Sequence, residues 1–173
     1  GGGAQQVSAD LHHRLQNAWQ TTMLVGQKNS TDTTIHEIKS PKILTYANLF
    51  FGLEYMLYPT IWQIARQPEF KQADLVHYHN LHGYYFNLLA LPGLTHKKPS
   101  VWTFHDMWPM LGHAAHSLDC IRCESGRTCH EHKQLYPKLY TVDTSALLYR
   151  IKRHILLRSN FEIVVPSKWL KQK

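Results

Sequence analysis

The sequence predicts an α/β fold built on a doubly wound parallel sheet. Two short segments, Asp74–Tyr78 and Val101–Phe104, have the length and the turn-rich borders of strands that are buried on both faces. A helical segment with a Pro-Gly break lies between them, as expected for a strand–helix–strand unit with parallel strands. Histidines stand at the end of both segments, and ligands of such sheets bind beyond the carboxyl ends of the strands. The candidate site is therefore expected at that edge.

The composition is that of a globular protein with an anionic partner. The chain has 173 residues, of which 43% are hydrophobic and 18% are charged, which is enough for one domain with a proper core. No apolar run approaches the roughly 18 residues needed to span a bilayer. The net charge of +7 and the pI near 9.4 favour nucleotide phosphates, nucleic acid or an acidic membrane face as a partner.

Glycines open the chain ahead of an amphipathic helix that is predicted to run to about Trp19. Small residues such as Gly2 and Gly3 let a phosphate approach the backbone N–H groups at the positive end of a helix. The alternative is a flexible terminus. Because a glycine loop of this kind normally follows a strand, we expect the first strand of the sheet to be lacking. Thr21–Val25 and Asp74–Tyr78 would then flank an unpaired gap.

Two strands and two helices are predicted between the first helix and the central unit. The strands are Thr21–Val25 and Thr34–Ile38, and the helices cover about Ala47–Tyr58 and Thr60–Gln67, with Pro68 ending the second. The many aromatic residues of these helices are interpreted as core and lid packing rather than as a cofactor site.

Polar and aromatic side chains follow the first central strand. His79, Asn80 and His82 come directly after it, and Tyr84 lies in a predicted helix behind them. Aromatic rings beside polar groups suit a sugar, because the rings stack on its apolar faces while its hydroxyls form hydrogen bonds. A packing role for the aromatics of that helix is the alternative.

A histidine and an aspartate follow the second central strand. Near neutral pH, His105 can donate or accept a hydrogen bond. Asp106 could fix the tautomer or the ring position of His105, or it could cap the next turn, which contains Trp108. The case for a functional site at this pair is stronger because histidines also follow the preceding strand.

The stretch 112–140 has no clear helical or strand period and carries clustered cysteines and histidines. The spacing of Cys120 and Cys123 lets two thiolates reach one ion, and Cys129 with one histidine, which we assign to His132, would complete a tetrahedral zinc site. Four protein donors leave no open position, so such a zinc ion would be structural. The alternative is a loop of reduced thiols that is packed by its own side chains.

The chain ends in a helix, Thr141–Ser159, and a buried strand, Phe161–Val165. The apolar stripe of the helix is predicted to contain Leu147, Leu148, Ile151, Ile155 and Leu156. The remaining positions hold Arg150, Lys152, Arg153, His154 and Arg158. Such a helix could lie on an anionic membrane, but a core helix with a solvated cationic face is the favoured interpretation.

In combination these motifs resemble the amino-terminal domain of the family 4 retaining glycosyltransferases. In that family two Rossmann-like domains face each other across a cleft, the GT-B architecture. The resemblance covers almost the whole chain and is closest to the branch that assembles bacterial surface polysaccharides. It rests on GGGAQQ, DLVHYHNLHGYY, VWTFHDMWP with the Cys/His-rich loop and Tyr136-Pro137, and FEIVVPSKWL.

The resemblance implies a role for each candidate residue. Gly2 and Gly3 would lie against the donor diphosphate, and His105, with Asp106 beside it, would carry the catalytic role at the donor sugar. The acceptor side would be lined by His79, Asn80, His82, Tyr84 and Trp108. The resemblance implies no cofactor for transfer, a structural zinc ion aside, because the donor phosphate itself assists the acceptor hydroxyl.

The resemblance also implies a division of the enzyme. Residues 1–166 would form the acceptor-side domain, truncated at its start, and residues 167–173 would begin the interdomain linker. The carboxy-terminal donor domain would be absent, so the chain alone is expected to be inactive, because catalysis needs donor and acceptor held in one closed cleft. The expected location is the cytoplasm, including the inner face of the plasma membrane.

Two alternatives come from other classes of protein. One is a zinc-stabilised nucleic-acid-binding module, which the positive charge and the Cys/His cluster permit. In this sequence the Lys and Arg residues are scattered instead of forming one stripe, so nucleic acid is not the expected partner. The other is an inactive adaptor that was left by gene splitting.

Overall fold

Two small parallel sheets form the centre of the molecule. The computed structural model describes residues 2–82, 84–118, 120–127 and 142–173. Strand β1 (Met23–Val25) pairs with β2 (Ile35–Glu37) in the first sheet. The second sheet has the order β3 (Val76–Tyr78), β4 (Ser100–Thr103) and β5 (Glu162–Val164). This mixed α/β architecture, which is consistent with a Rossmann-like half of a GT-B fold, confirms the predicted fold class.

The register of the second sheet decides which side chains meet at its edge. His77 pairs with Val101 and Tyr78 pairs with Trp102, in parallel orientation. The carboxyl ends of β3 and β4 therefore lie side by side, as the sequence predicts. Within the described residues β1 and β3 are not hydrogen-bonded to each other, which agrees with the expected gap between these strands. That a first strand is lacking stays a prediction.

Helices connect the strands, and most of them are short. In chain order the α-helices are α1 (Gly3–Leu15), α2 (Lys42–Phe51), α3 (Thr60–Gln63), α4 (Pro68–Gln72), α5 (Leu91–Thr95), α6 (Ile121–Glu124), α7 (Ser145–Leu157) and α8 (Lys168–Lys171). Two 3₁₀ turns, Ile64–Arg66 and Leu88–Ala90, extend α3 and precede α5.

Two helix predictions differ from the structure for local reasons. Helix α2 ends at Gly52, whose φ of 61° places it in the left-handed region that terminates helices, so the chain after it is not helical. The helical segment that starts at Thr60 ends before Pro68 as predicted, and Pro68 itself begins α4, because a first helical position needs no N–H donor. The predicted helix at Tyr84–Phe86 is wrong: Tyr84 has a φ of 60°, and helical structure starts only at Leu88.

Helix α7 packs on the core through most of the predicted stripe and through one residue outside it. Leu148 and Ile155 are buried as predicted, but Leu147 is 48% exposed. Lys152, which the sequence places on the solvated face, is only 1% exposed. Its ammonium group donates to the carbonyl oxygen of Trp108 at 3.0 Å, and this partner replaces part of the lost hydration.

Two buried asparagines hold the irregular segment 53–59 in place. The Asn48 side chain accepts hydrogen bonds from the backbone N–H groups of Met56 and Leu57, each at 3.2 Å. The Asn87 side chain donates to the carbonyl oxygens of Met56 and Tyr58, each at 2.7 Å. These amide groups satisfy backbone atoms that no regular element pairs, so the segment can be buried.

Within the described residues, none of the helices combines the length and the apolar character that a membrane crossing needs.

Replacement of Asn87 by alanine should destabilise the protein. The variant Asn87→Ala leaves the two buried carbonyl groups without donors, so the free energy of unfolding should fall by about 1–3 kcal/mol. Urea denaturation followed by circular dichroism measures the change. The control Asn29→Ala, at an exposed position, should change stability by less than about 0.5 kcal/mol. Equal effects of the two substitutions would contradict this account of segment 53–59.

Candidate functional site

The candidate site begins with a hydrogen bond between two imidazoles at the carboxyl ends of β3 and β4. Nδ1 of His79 lies 2.9 Å from Nε2 of His105, and the two rings stack with centroids 5.2 Å apart. One of these nitrogens must donate and the other must accept, so the pair cannot carry two positive charges and keep this bond. The sequence places both histidines at this edge, and the structure joins them directly.

Burial favours the neutral form of His79 and His105. Together with the neighbouring rings of His77 and His105, burial lowers the pKa of His79 to about 4. Burial also lowers the pKa of His105, an effect that the Asp106 carboxylate partly opposes. A neutral imidazole carries one N–H donor and one lone pair, which suits binding to sugar hydroxyls.

His77, the strand residue two positions before His79, belongs to the same group of rings. Its Nε2 lies 2.8 Å from Oγ1 of Thr103, and its ring centroid lies 4.3 Å from that of His79. Burial lowers the pKa of His77 as well. The alternation of side chains along a strand is the signal that could have found it, because His77 and His79 point to the same face.

A second pair, His82 and Asp106, stands beside the first. Nε2 of His82 lies 3.0 Å from Oδ2 of Asp106, and Oδ1 of the same carboxylate accepts a hydrogen bond from the backbone N–H of Trp108 at 2.9 Å. The sequence offered two roles for Asp106, and the structure shows the one in which it caps the next turn. The carboxylate acts on His105 through its charge, while its hydrogen bond goes to His82.

Trp108 is buried and packs against His82 of the site. Its side chain is 1% exposed, and its ring packs against His82 with centroids 5.2 Å apart and against Tyr55 at 5.1 Å. The Lys152 ammonium group lies 3.7 Å from the centre of the indole ring, as in a cation–π contact. Burial lowers the pKa of Lys152 well below its usual value. In this conformation Trp108 positions His82 instead of presenting its ring to solvent.

The loop after β3 is anchored on the first sheet by Tyr85. A Cβ atom added to Gly26, directly after β1, would lie 2.5 Å from the Tyr85 ring, so only glycine fits there. The Tyr85 hydroxyl donates to the carbonyl oxygen of Asn80 at 3.3 Å. Tyr84, half-buried, packs its ring against Tyr55 at 5.7 Å. Sequence reasoning missed the contact between Gly26 and Tyr85, which no local pattern signals.

Most of the predicted acceptor and catalytic residues meet in one shallow depression. It is lined by His79, Asn80, His82, His105, Asp106 and Trp108. Gly2 and Gly3 stand at the exposed start of α1, where Gly2 is the N-cap. A Cβ atom on either glycine would meet no atom within 4 Å, so packing within the described residues does not require glycine there.

The chain was compared with known proteins and families. The family model of Glycosyltransferase Family 4 matches residues 1–173, the full length of the sequence. The chain belongs to Glycosyltransferase Family 4. No curated protein and no solved structure gives a significant match. Membership of this family supports a glycosyltransferase-type function with a sugar donor and an acceptor as partners, and it does not favour the nucleic-acid-binding alternative.

Two of the four predicted zinc ligands in this family 4 domain can be described. Cys120 is half-buried and forms no disulfide, whereas Cys123 is buried and disulfide-bonded. A sulfur atom in a disulfide cannot at the same time be a zinc thiolate. Cys129 and His132 lie outside the described residues, so the four-ligand site as a whole stays a prediction. His113, another histidine of this stretch, is buried against the carboxylate of Glu54.

The oxidation state of Cys123 can be measured directly. In the unfolded, unreduced protein, a thiol-reactive label should modify Cys120 and leave Cys123 unmodified. Peptide mass spectrometry with and without prior reduction locates the label. Labelling of all three cysteines without reduction, together with one equivalent of zinc in the native protein, would contradict the disulfide and support the predicted metal site.

The stability of the domain should fall in mild acid because of His79. The unfolded chain binds a proton at the usual pKa of 6.5 and the folded chain only at about 4, so the unfolded state takes up more protons between these values. The free energy of unfolding should therefore decrease as the pH is lowered from about 6.5 to about 4. His79→Gln should flatten this dependence, and His154→Gln, at an exposed position, should not. Urea denaturation at a series of pH values measures the slopes, and parallel curves for His79→Gln and the wild type would contradict the assignment.

Proposed function

We propose that this family 4 domain is the acceptor-side half of a retaining glycosyltransferase. The complete enzyme would move a sugar from a nucleotide-sugar donor to a glycan or lipid-linked acceptor in polysaccharide biosynthesis. The observation that carries the proposal is the His79–His105 hydrogen bond at the carboxyl edge of β3 and β4, in a chain that belongs to a glycosyltransferase family. Ligands of doubly wound sheets bind at this edge.

The proposed roles follow the chemistry of the two histidine pairs. His105 contacts the donor sugar, and its bond to His79 fixes the ring and leaves the other nitrogen for the substrate. His82, oriented by Asp106, offers a hydrogen bond to an acceptor hydroxyl. Asn80, which lines the depression, borders the acceptor, and Trp108 acts by supporting His82. Tyr84 lies outside the depression and packs on Tyr55, and its proposed contact with the acceptor rests on the family resemblance alone.

The donor diphosphate is assigned to the start of α1. This helix has 13 residues, and the N–H groups of its first turn point to its amino end, where a phosphate is stabilised. Packing within the described residues places no side chain against Gly2 or Gly3, so a requirement for glycine would come from close approach of a ligand. The two positions fit that role.

In this proposal the nucleotide of the donor binds to a second domain of the enzyme. That carboxy-terminal domain lies beyond residues 167–173, and transfer occurs in the cleft between the two domains. The donor phosphate assists the acceptor hydroxyl, so neither a general base nor a cofactor is required. The enzyme works in the cytoplasm, where the basic chain can approach the anionic inner face of the plasma membrane.

Replacement of His105 should impair transfer in the enzyme that contains both domains. His105→Ala should lower kcat by roughly 10²–10³-fold, because a hydrogen bond that strengthens in the transition state is lost. Nucleotide release from a panel of nucleotide-sugar donors, each tested with lipid-linked and oligosaccharide acceptors, measures the rate. NMR of the product reports the anomeric configuration, which should match that of the donor.

The exposed residue His154 provides the matched control. His154→Ala should leave kcat and KM unchanged. A similar loss in both variants, or no loss in His105→Ala, would overturn the role of His105. An inverted anomeric configuration would overturn the retaining mechanism while leaving the transferase assignment intact.

A further inference from the structure

A second cluster of histidine and aspartate side chains is distinct from the strand-end histidines His79, His82 and His105, which follow β3 and β4. His12 and His13 stand in the last turn of α1, and Asp32 stands in the loop that leads into β2. Oδ2 of Asp32 lies 3.8 Å from Nε2 of His12 and 3.9 Å from Nδ1 of His13. The three ligand atoms all lie within 4.8 Å of one another. Within the described residues, no other group of three His, Cys, Asp or Glu side chains converges in this way.

Hydrogen bonds fix the carboxylate in this cluster. The backbone N–H and the hydroxyl of Thr34 both donate to Oδ1 of Asp32, at 2.8 and 2.6 Å. The second oxygen, Oδ2, is thereby turned toward the two histidines. The cluster thus contains one fixed anionic oxygen and two imidazole nitrogens.

The two histidines of the cluster differ in how much room their side chains have to move. His12 is 5% exposed, and its Nε2 lies 2.9 Å from the Thr34 hydroxyl and 3.1 Å from the amide nitrogen of Gln16. The His13 side chain is 55% exposed and can rotate. One ligand is therefore held in the interior, and the other can close on an ion from the solvent side.

The donor set selects one class of ion. Two imidazole nitrogens and one carboxylate oxygen suit zinc and its neighbours among the divalent transition metals, whereas calcium and magnesium prefer oxygen ligands alone. Ligands at about 2.0–2.1 Å from a tetrahedral ion lie roughly 3.3 Å apart. The distances from Asp32 to the two histidines exceed this value by about half an ångström. Rotation of the His13 side chain closes its own distance, and a shift of about half an ångström between His12 and Asp32 closes the other.

We propose that His12, His13 and Asp32 form a binding site for one divalent transition-metal ion of the zinc class. Nε2 of His12, Nδ1 of His13 and Oδ2 of Asp32 are the ligands, and water completes the tetrahedron. Nε2 of His12 gives up its contacts with the Thr34 hydroxyl and the Gln16 amide on binding, because a lone pair that coordinates a metal cannot also accept a hydrogen bond. Lys28, which donates to the backbone oxygen of Asp32 at 2.6 Å, places one positive charge nearby and moderates the affinity.

The ion at this site joins two elements of the fold. Asp32 and Thr34 precede β2, so the cluster lies at the amino edge of the first sheet, opposite the edge at which the strand-end histidines stand. Binding ties the end of α1 to the connection between β1 and β2. A ligand that binds only the folded state stabilises it, so the melting temperature should rise with metal concentration.

The test uses the metal-free chain and cobalt(II) as the spectroscopic probe. Titration should show one equivalent of tightly bound Co²⁺, with visible bands typical of a tetrahedral nitrogen and oxygen site and without a sulfur charge-transfer band. Zn²⁺ should displace the cobalt and raise the melting temperature. Absence of stoichiometric binding, or a spectrum dominated by sulfur, would overturn the proposal, the latter by assigning the ion to the cysteine loop.

Variants assign the ligands. His13→Ala, at an exposed position where folding should be unaffected, should weaken Co²⁺ binding at least about tenfold and abolish the zinc-induced rise in melting temperature. Asp32→Asn should weaken binding similarly while keeping an acceptor for Thr34. The control His154→Ala, an exposed histidine on α7, should bind as the wild type does. Unchanged affinity in His13→Ala would overturn the site, because an ion held by the strand-end histidines would survive that substitution.

Discussion

The parallel register of β3 and β4 is the constraint on which the candidate site depends. It pairs Tyr78 with Trp102, and the Trp102 indole N–H then donates to the carbonyl oxygen of His79 at 2.8 Å, so the first residue beyond β3 is tied to β4. His79 can reach His105 only in this register. A shift by one residue would turn every side chain of the strand to the opposite face and separate the two imidazoles.

The turn after β4 depends on a residue from a distant helix. Lys152 of α7 reaches through the core to the backbone oxygen and the ring of Trp108. Burial of an ammonium group without such partners would be unfavourable, so this contact fixes the position of α7 against the turn. In this turn the backbone N–H of Trp108 donates to the Asp106 carboxylate, which orients His82. Lys152 therefore connects α7 to the turn that carries Asp106.

The two sheets are joined by side chains where no backbone hydrogen bonds join them. Tyr85 packs on Gly26 at the end of β1 and holds the loop that follows β3. At the opposite edge of the first sheet, His12, His13 and Asp32 connect α1 to the start of β2. The domain thus has one edge that is organised by the His79–His105 pair, for which sugar binding is proposed, and a second edge whose ligands suit a metal ion. The function proposed for the first does not depend on the second.

The sequence by itself determined the fold class, the start of α1, and the placement of His79, His82, His105 and Asp106 at the ends of parallel strands. Those features follow from apolar periodicity and turn residues, which act over a few neighbouring positions. Only the tertiary structure decided that Asp106 bonds to His82, that Trp108 and Lys152 are buried, and that Asp32 meets the end of α1. These features join residues that are distant in the chain, and no local pattern specifies which of several possible partners a polar side chain meets when the elements pack.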